Sequence, residues 1–190
     1  QMKRMGNRIV STSIEHSSID DTLNKLEAEG FEVIRLRVDG YGRVDEKELY
    51  SAVNSNTILI TMMLVNNEVG SILPVQAAKR AAMMARSPAL IHCDAVQAFG
   101  KIPIKPATLG VDLMTVSSHK IHGPKGVGAL YVSQNVITKK QIVPIIFGGG
   151  QEKDIRPGTE PMPAIAGFMG AVSELKTEST LTRVEALRDY

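Results

Sequence analysis

Val111-Asp112-Leu113-Met114-Thr115-Val116-Ser117-Ser118-His119-Lys120 runs from a largely apolar strand into two hydroxyls, an imidazole and an amine, and Gly123-Pro124-Lys125-Gly126 follows closely. An ammonium is normally solvated, and withdrawing one from water costs several kcal/mol unless it is paired or neutralised. A lysine delivered by an apolar strand is therefore a candidate for an amine that reacts and becomes a covalent handle. The plain alternative is a surface lysine at a strand end. The polar residues at the ends of the other strands weigh between the two.

Working outward from this stretch, strand-like and helix-like segments alternate. Residues 8–14 read as a strand and 19–29 as a helix with Leu23 and Leu26 on one face. Residues 31–38 read as a strand, and Asp45 is a suitable N-cap for a short helix reaching residue 53. Residues 57–64 are apolar enough for a strand buried on both faces of a parallel sheet. Pro74 opens a helix through Ala85, as proline does at a first turn. Strands follow at 90–93, 113–116 and 128–132, and Pro161 opens a helix to residue 175. Such alternation predicts an α/β fold, a mostly parallel sheet with helices on both faces. The one long irregular stretch, 147–159, is of the kind that often carries function.

The chain has 190 residues, a net charge of +2 and 43% hydrophobic residues, which suits one globular domain with a core to bury. The near-balanced charge, without basic clusters interleaved with aromatics, gives no reason to expect nucleic acid. The single cysteine, Cys93, rules out an internal disulfide and fits a reducing compartment. The longest mainly apolar run falls well short of the ~20 residues a membrane span needs. The opening residues are polar and basic rather than a secretory signal, so a soluble cytoplasmic protein is the expectation. Gln1 is no initiator and the helical spacing of Leu181, Val184 and Leu187 runs to the end uncapped. The sequence therefore reads as a piece of a longer protein.

In open α/β sheets, ligands bind outside the carboxyl ends of the strands. There this chain places His16, then Asn66-Asn67-Glu68, then His92-Cys93-Asp94 with Gln97, then Ser117-Ser118-His119-Lys120. This set meets the needs of pyridoxal phosphate, which requires a lysine for its aldehyde, an anion at its pyridine nitrogen, and donors for its ring oxygen and phosphate. A carboxylate about 4 Å from the pyridinium contributes up to roughly 4 kcal/mol at an effective dielectric near 20. That equals about three pKa units, enough to keep the ring nitrogen protonated near neutrality. Asp94 is the candidate; its ordinary alternative is a helix N-cap. Taken singly, His16 reads as a structural histidine and Asn66-Asn67 as a turn.

Taken together, the ordered motifs resemble the cysteine desulfurase and selenocysteine lyase family, class V aminotransferase-like enzymes of fold type I. They are Glu15-His16, Asn66-Asn67-Glu68-Val69-Gly70, His92-Cys93-Asp94-Ala95-Val96-Gln97, Ser117 through Gly126, Gly148 through Glu152, and Arg156-Pro157-Gly158-Thr159-Glu160. The resemblance spans nearly the whole chain. It implies pyridoxal phosphate as cofactor, with Lys120 bonded to it and later carrying a proton, and His16 stacked on its ring as a possible acid or base. It further implies that Asp94 pairs with the pyridine nitrogen, that Asn67 and Gln97 donate to the ring oxygen, and that Ser117 and His119 hold the phosphate. Thr159 is implied to reach a phosphate in the partner subunit of a homodimer.

The implied reaction removes sulfur from cysteine (or selenium from selenocysteine), leaves alanine, and passes sulfur to an enzyme cysteine and then to an acceptor protein, as in iron–sulfur cluster assembly. On the same grounds residues 1–175 are the central part of the large cofactor-binding domain, and 176–190 begin the helix leading to a small domain. The family's upstream glycine-threonine phosphate segment, its persulfide-forming cysteine and its substrate-carboxylate arginine fall outside this chain. Cys93 is no substitute, since alternation points it away from His92 and Asp94. Ser118 stands where close relatives often carry glycine.

Weaker signals add little. Gly123 through Gly128 precedes a strand, unlike a phosphate loop, and no dinucleotide fingerprint follows any strand. His119 and His122 lack further ligands at metal spacing, so no metal is expected. The nine methionines, Met62-Met63 and Met83-Met84 among them, read as core filler. Two rivals stay open: another class V activity, such as an aminotransferase or selenocysteine lyase, and a non-catalytic fragment that folds and dimerises.

Overall fold

The computed structural model describes residues 2–175 and 177–190. Gln1 and Lys176, on which the expected start of the chain and of the last helix fall, lie outside them, as do the side chains of residues 177–181.

Apolar, β-branched runs form the strands β1 (Arg8–Thr12), β2 (Glu32–Leu36), β3 (Thr57–Met63), β4 (Leu90–Asp94), β5 (Leu113–Ser117) and β6 (Gly128–Val132). They join in one sheet of order β2-β1-β3-β4-β5-β6, parallel throughout except for the antiparallel β5–β6 pair. From β2 the chain crosses back past β1 to begin β3, and from there the strands continue outward. The order therefore reverses between β1 and β3, and that is where an open α/β sheet leaves a crevice at its carboxyl edge.

Between the strands lie α1 (Ser17–Ala28), α2 (Glu46–Ala52), α3 (Val75–Met84) and the short α4 (Pro106–Leu109). Asp45 caps α2, its Oδ1 accepting from Lys47 N–H at 2.8 Å. Pro74 is the N-cap of α3, and Gly110 ends α4 at φ 69°, where a Cβ would press on the Lys79 side chain. After β6 come α5 (Gln134–Thr138), α6 (Met162–Ser173) and α7 (Thr177–Arg188).

The two faces of the sheet differ. Val10, Ile60, Met62, Ile91, Cys93 and Met114 share a core with Leu49 and Val53 of α2 and the small-residue stripe Val75, Ala77, Ala78, Ala81 and Ala82 of α3. The opposite face carries Arg35, whose guanidinium pairs with Asp20 and Glu27 of α1 at 2.9 and 3.0 Å. Helices thus cover both faces, as expected, but unevenly. Ala129, Leu130 and Tyr131 of β6 remain exposed, because β6 is an antiparallel edge strand paired on one side only.

Met62, Met63 and Met114 are core residues, but Met83 and Met84 are 71% and 76% exposed. The expectation of core filler fails for them because they occupy the last turn of α3, beyond its buried alanines. The two sites separate cleanly by stability. Ile60→Ala is expected to cost about 2–5 kcal/mol and Met83→Ala under about 0.5 kcal/mol, read from urea midpoints. Equal costs would mean that the alanine stripe is not the packed side of α3.

Candidate active site

The crevice at the reversal of strand order is a cavity of about 230 Å³. The segment after β1 gives it His16, that after β3 Asn67, the end of β4 Asp94, and the turn behind it Gln97. Ser117 from β5, with His119 and Lys120 from the 3-10 turn Ser118–Ile121, completes the polar lining, and Met63, Val65 and Val96 supply apolar wall. Seven of the eight site residues expected from sequence, all but Thr159, therefore line one cavity. Thr159 is exposed in the segment after Gly158, which is tied back by its N–H donating to Gln151 Oε1 at 3.1 Å.

Each group is held from behind. His16 is the N-cap of α1: Nδ1 accepts from Ser18 N–H at 3.2 Å and lies 2.9 Å from Ser18 Oγ. Asn66 is buried and builds the turn that presents Asn67. Its Oδ1 accepts from the Glu68 and Val69 N–H groups, both at 2.9 Å, and its Nδ2 donates to Ile14 O at 3.1 Å. Asp94 Oδ1 accepts from Val96 N–H at 2.9 Å, which leaves its second oxygen for other work. Ser117 Oγ and His119 Nδ1 lie 2.7 Å apart. The turn carrying Lys120 closes through Gly123 N–H to Ser118 O, and a Cβ at Gly123 would collide with Ser118 Oγ. Ser118 itself is fully buried, its hydroxyl unpartnered.

One sequence inference needs correcting. The apolar approach suggested an amine withdrawn from water, but Lys120 is exposed. The 3-10 turn swings it off the strand axis to the edge of the cavity, where none of the described residues buries it.

Sequence reasoning singled out Glu15 only as part of a motif. Its Oε1 accepts from Thr12 Oγ1 at 2.7 Å and Met63 N–H at 2.9 Å, joining β1 to β3, while Oε2 is buried without a partner. Burial above all, then the charges of Asp94 and Asp20, push its carboxyl up to about 7 against those two hydrogen bonds. Behind Asp94 in the sheet, His92 bridges Thr61 (Nδ1, 2.8 Å) and Thr115 (Nε2, 3.4 Å), and burial lowers its pKa. Cys93 faces the other way and is fully buried. Burial, then the Asp94 and Glu15 charges, push its thiol up to about 12, so it is inert near neutrality. Among the described residues no group of three or more His, Cys, Asp and Glu side chains could hold a metal, and no helix is long and apolar enough to cross a membrane.

Residues 1–188 match the sequence model of the aminotransferase class-V family. The chain is 43% identical over 186 residues to cysteine desulfurase IscS of Pasteurella multocida, covering 97% of this chain and 45% of that protein. It is 42% identical over 170 residues to putative cysteine desulfurase IscS 1 of Bacillus subtilis, covering 90% and 43%. Among solved structures it superposes on a NifS-like protein with a TM-score of 0.85 at 40% identity, over 92% of this chain and 47% of that one. On SspA in complex with cysteine the TM-score is 0.86 at 35% identity, over 98% and 53%. The chain thus spans less than half the length of these curated relatives.

Glu15 gives the site a pH signature. A folded pKa near 7 against 4.5 unfolded means that the native state holds the extra proton, so this group costs stability as pH rises across that window. Glu15→Gln keeps an acceptor for Thr12 and Met63 yet cannot ionise. Relative to wild type it should gain about 1–3 kcal/mol on moving from about pH 4 to about pH 8, measured by urea unfolding at both. A difference that does not change with pH would show that Glu15 has the same pKa folded and unfolded.

Proposed function

The chain belongs to the aminotransferase class-V family, and from that premise we propose that it is the central part of the large domain of a pyridoxal phosphate-dependent cysteine desulfurase. The observation that carries the reading is the meeting of Lys120, Asp94, Gln97 and His16 around one cavity at the strand ends. The donor set fits the cofactor. Asp94 has one oxygen engaged by Val96 N–H and one free for a ring nitrogen, and Met63, Val65 and Val96 offer apolar contact to an aromatic ring. Asn67 and Gln97 offer amides to a ring oxygen, and Ser117 with His119 offers donors to a phosphate.

When bound, pyridoxal phosphate supplies an electron sink for the bond broken at the substrate's α-carbon. This chain's residues hold it and move protons around it. Lys120 Nζ would be the amine that holds the cofactor, and the same nitrogen would take the proton from the substrate's α-carbon. His16, whose Nδ1 is engaged by Ser18, has its Nε2 left to face the ring or exchange a proton. Asp94, its Oδ1 held by Val96 N–H, would offer its other oxygen to the cofactor's ring nitrogen. The net reaction takes L-cysteine to L-alanine. The substrate's sulfur passes to the thiolate of an enzyme cysteine outside this chain, giving a persulfide there, and the α-carbon fragment receives the protons. Homodimerisation, with Thr159 reaching the partner's cofactor phosphate, a sulfur-acceptor protein, a place in iron–sulfur cluster assembly and a cytoplasmic setting belong to the same proposal. The names of the relatives, cysteine desulfurases, support the activity in this proposal.

The test uses the full-length protein carrying this chain. Borohydride reduction of the yellow complex should leave a pyridoxyl label on Lys120 by peptide mapping, and Lys120→Ala should lose both label and alanine production from cysteine. Asp94→Asn should keep the label yet slow turnover at least about a hundredfold, since a pairing of up to roughly 4 kcal/mol is removed. A label on another lysine, or none in a folded protein, would sink the reading.

A further inference from the structure

Lys101 lies outside the cavity, yet its ammonium donates to Gln97 Oε1 at 2.9 Å. An ammonium has three donors and no acceptor, so it can hold only the oxygen end of an amide. The orientation of the Gln97 carboxamide is thereby fixed, and its NH₂ is the end left for whatever the cavity contains. Lys101 also stands within Coulomb range of Lys120: burial first, then the Lys120 charge, lowers its pKa. The other titratable groups lining the cavity are His16, Asp94 and His119, of which Asp94 alone is an acid. The Gln97 side of the cavity is thus a donor wall backed by cations, and the acid belongs to the end of β4. A ligand oxygen facing Gln97 is favoured if it carries negative charge and accepts, and disfavoured if it is a neutral hydroxyl that must donate.

We propose that Lys101 is the positioning residue that turns Gln97 into an obligate donor and so selects the anionic, phenolate form of a ring oxygen in the bound cofactor. The inference rests on the pyridoxal phosphate reading and adds a residue that never touches the cofactor itself. Without Lys101 the Gln97 amide is free to rotate, its oxygen can face the ligand oxygen, and one of the two cations on that wall is gone.

The experiment compares wild type, Lys101→Met and Lys101→Arg in the full-length protein, titrating pyridoxal phosphate and then following the bound cofactor's visible absorbance against pH. Losing a hydrogen bond to a charged group predicts about tenfold weaker binding in Lys101→Met. The absorbance midpoint should move to higher pH, because removing a nearby cation lets the bound form keep its proton longer. Lys101→Arg, which also only donates, should restore both. In a background of Gln97→Leu, Lys101→Met should add little, since the two act as one unit. The proposal is overturned if Lys101→Met binds and titrates like wild type, if arginine fails to rescue a protein with unchanged thermal melting, or if the two losses simply add. A wild type that binds no pyridoxal phosphate would overturn it together with the function it rests on, whereas wild-type binding with an indifferent Lys101→Met removes this inference alone.

Discussion

Reversal of the strand order between β1 and β3 is the constraint on which the site depends. Two neighbouring parallel strands whose chains leave in opposite directions cannot close over their shared carboxyl edge, and the gap is filled by whatever the next residues carry. Here the gap is pinned open by polar bonds rather than bridged by a helix. Glu15 reaches from the end of β1 to Met63 N–H on β3, and Asn66 reaches back from β3 to Ile14 O. These two contacts set how far His16 and Asn67 stand apart, so the width of the cavity is a property of buried hydrogen bonds at its floor.

Charge is then sorted by position. Acid groups, Asp94 and Glu15, gather at the ends of β1 and β4, while the cations Lys120 and Lys101 come from the turns beyond β4 and β5. Burial then moves Glu15 and His92 in opposite directions. Glu15, almost closed off and near another carboxylate, is raised; the histidine beneath Asp94, wedged between two threonines, is lowered and packs as a neutral ring. A neutral His92 matters to the proposed function because a cation there would compete for Asp94 with the ring nitrogen it is proposed to meet.

Most of the architecture was legible because the strands are apolar runs and the helices carry period-correct stripes. Asp45 and Pro74 mark helix starts by local chemistry alone, whereas the short α4, ended by Gly110, and α5 had no such reading. The site was legible through strand-end residues, since the sheet geometry fixes where such residues go. What escaped depends on tertiary distance or depth. Nothing local says that Glu15 finds Met63, or that Lys101 finds Gln97 rather than solvent. The exposure of Met83, Met84 and Lys120 escaped as well: an apolar neighbourhood in sequence does not state which turn of a helix overhangs the sheet, or how sharply a 3-10 turn departs from a strand. His16 carried two readings, structural histidine and site residue, and in the structure it both caps α1 and lines the cavity.

The depth of Cys93 bears on how a sulfur-transfer reaction would have to be divided. Its thiol faces the α2–α3 core, where burial raises its pKa to about 12, keeps it protonated at neutral pH and closes it to a substrate. The same alternation that turns Asp94 toward the cavity turns Cys93 away from it, so no repacking short of a register slip could exchange them. It is the sole cysteine of the chain. A fold that places an acid at position 94 therefore excludes a nucleophilic thiol at position 93. On the proposed reading, the thiol that takes the sulfur would have to come from outside this chain and reach the cavity from the side where Lys120 meets solvent.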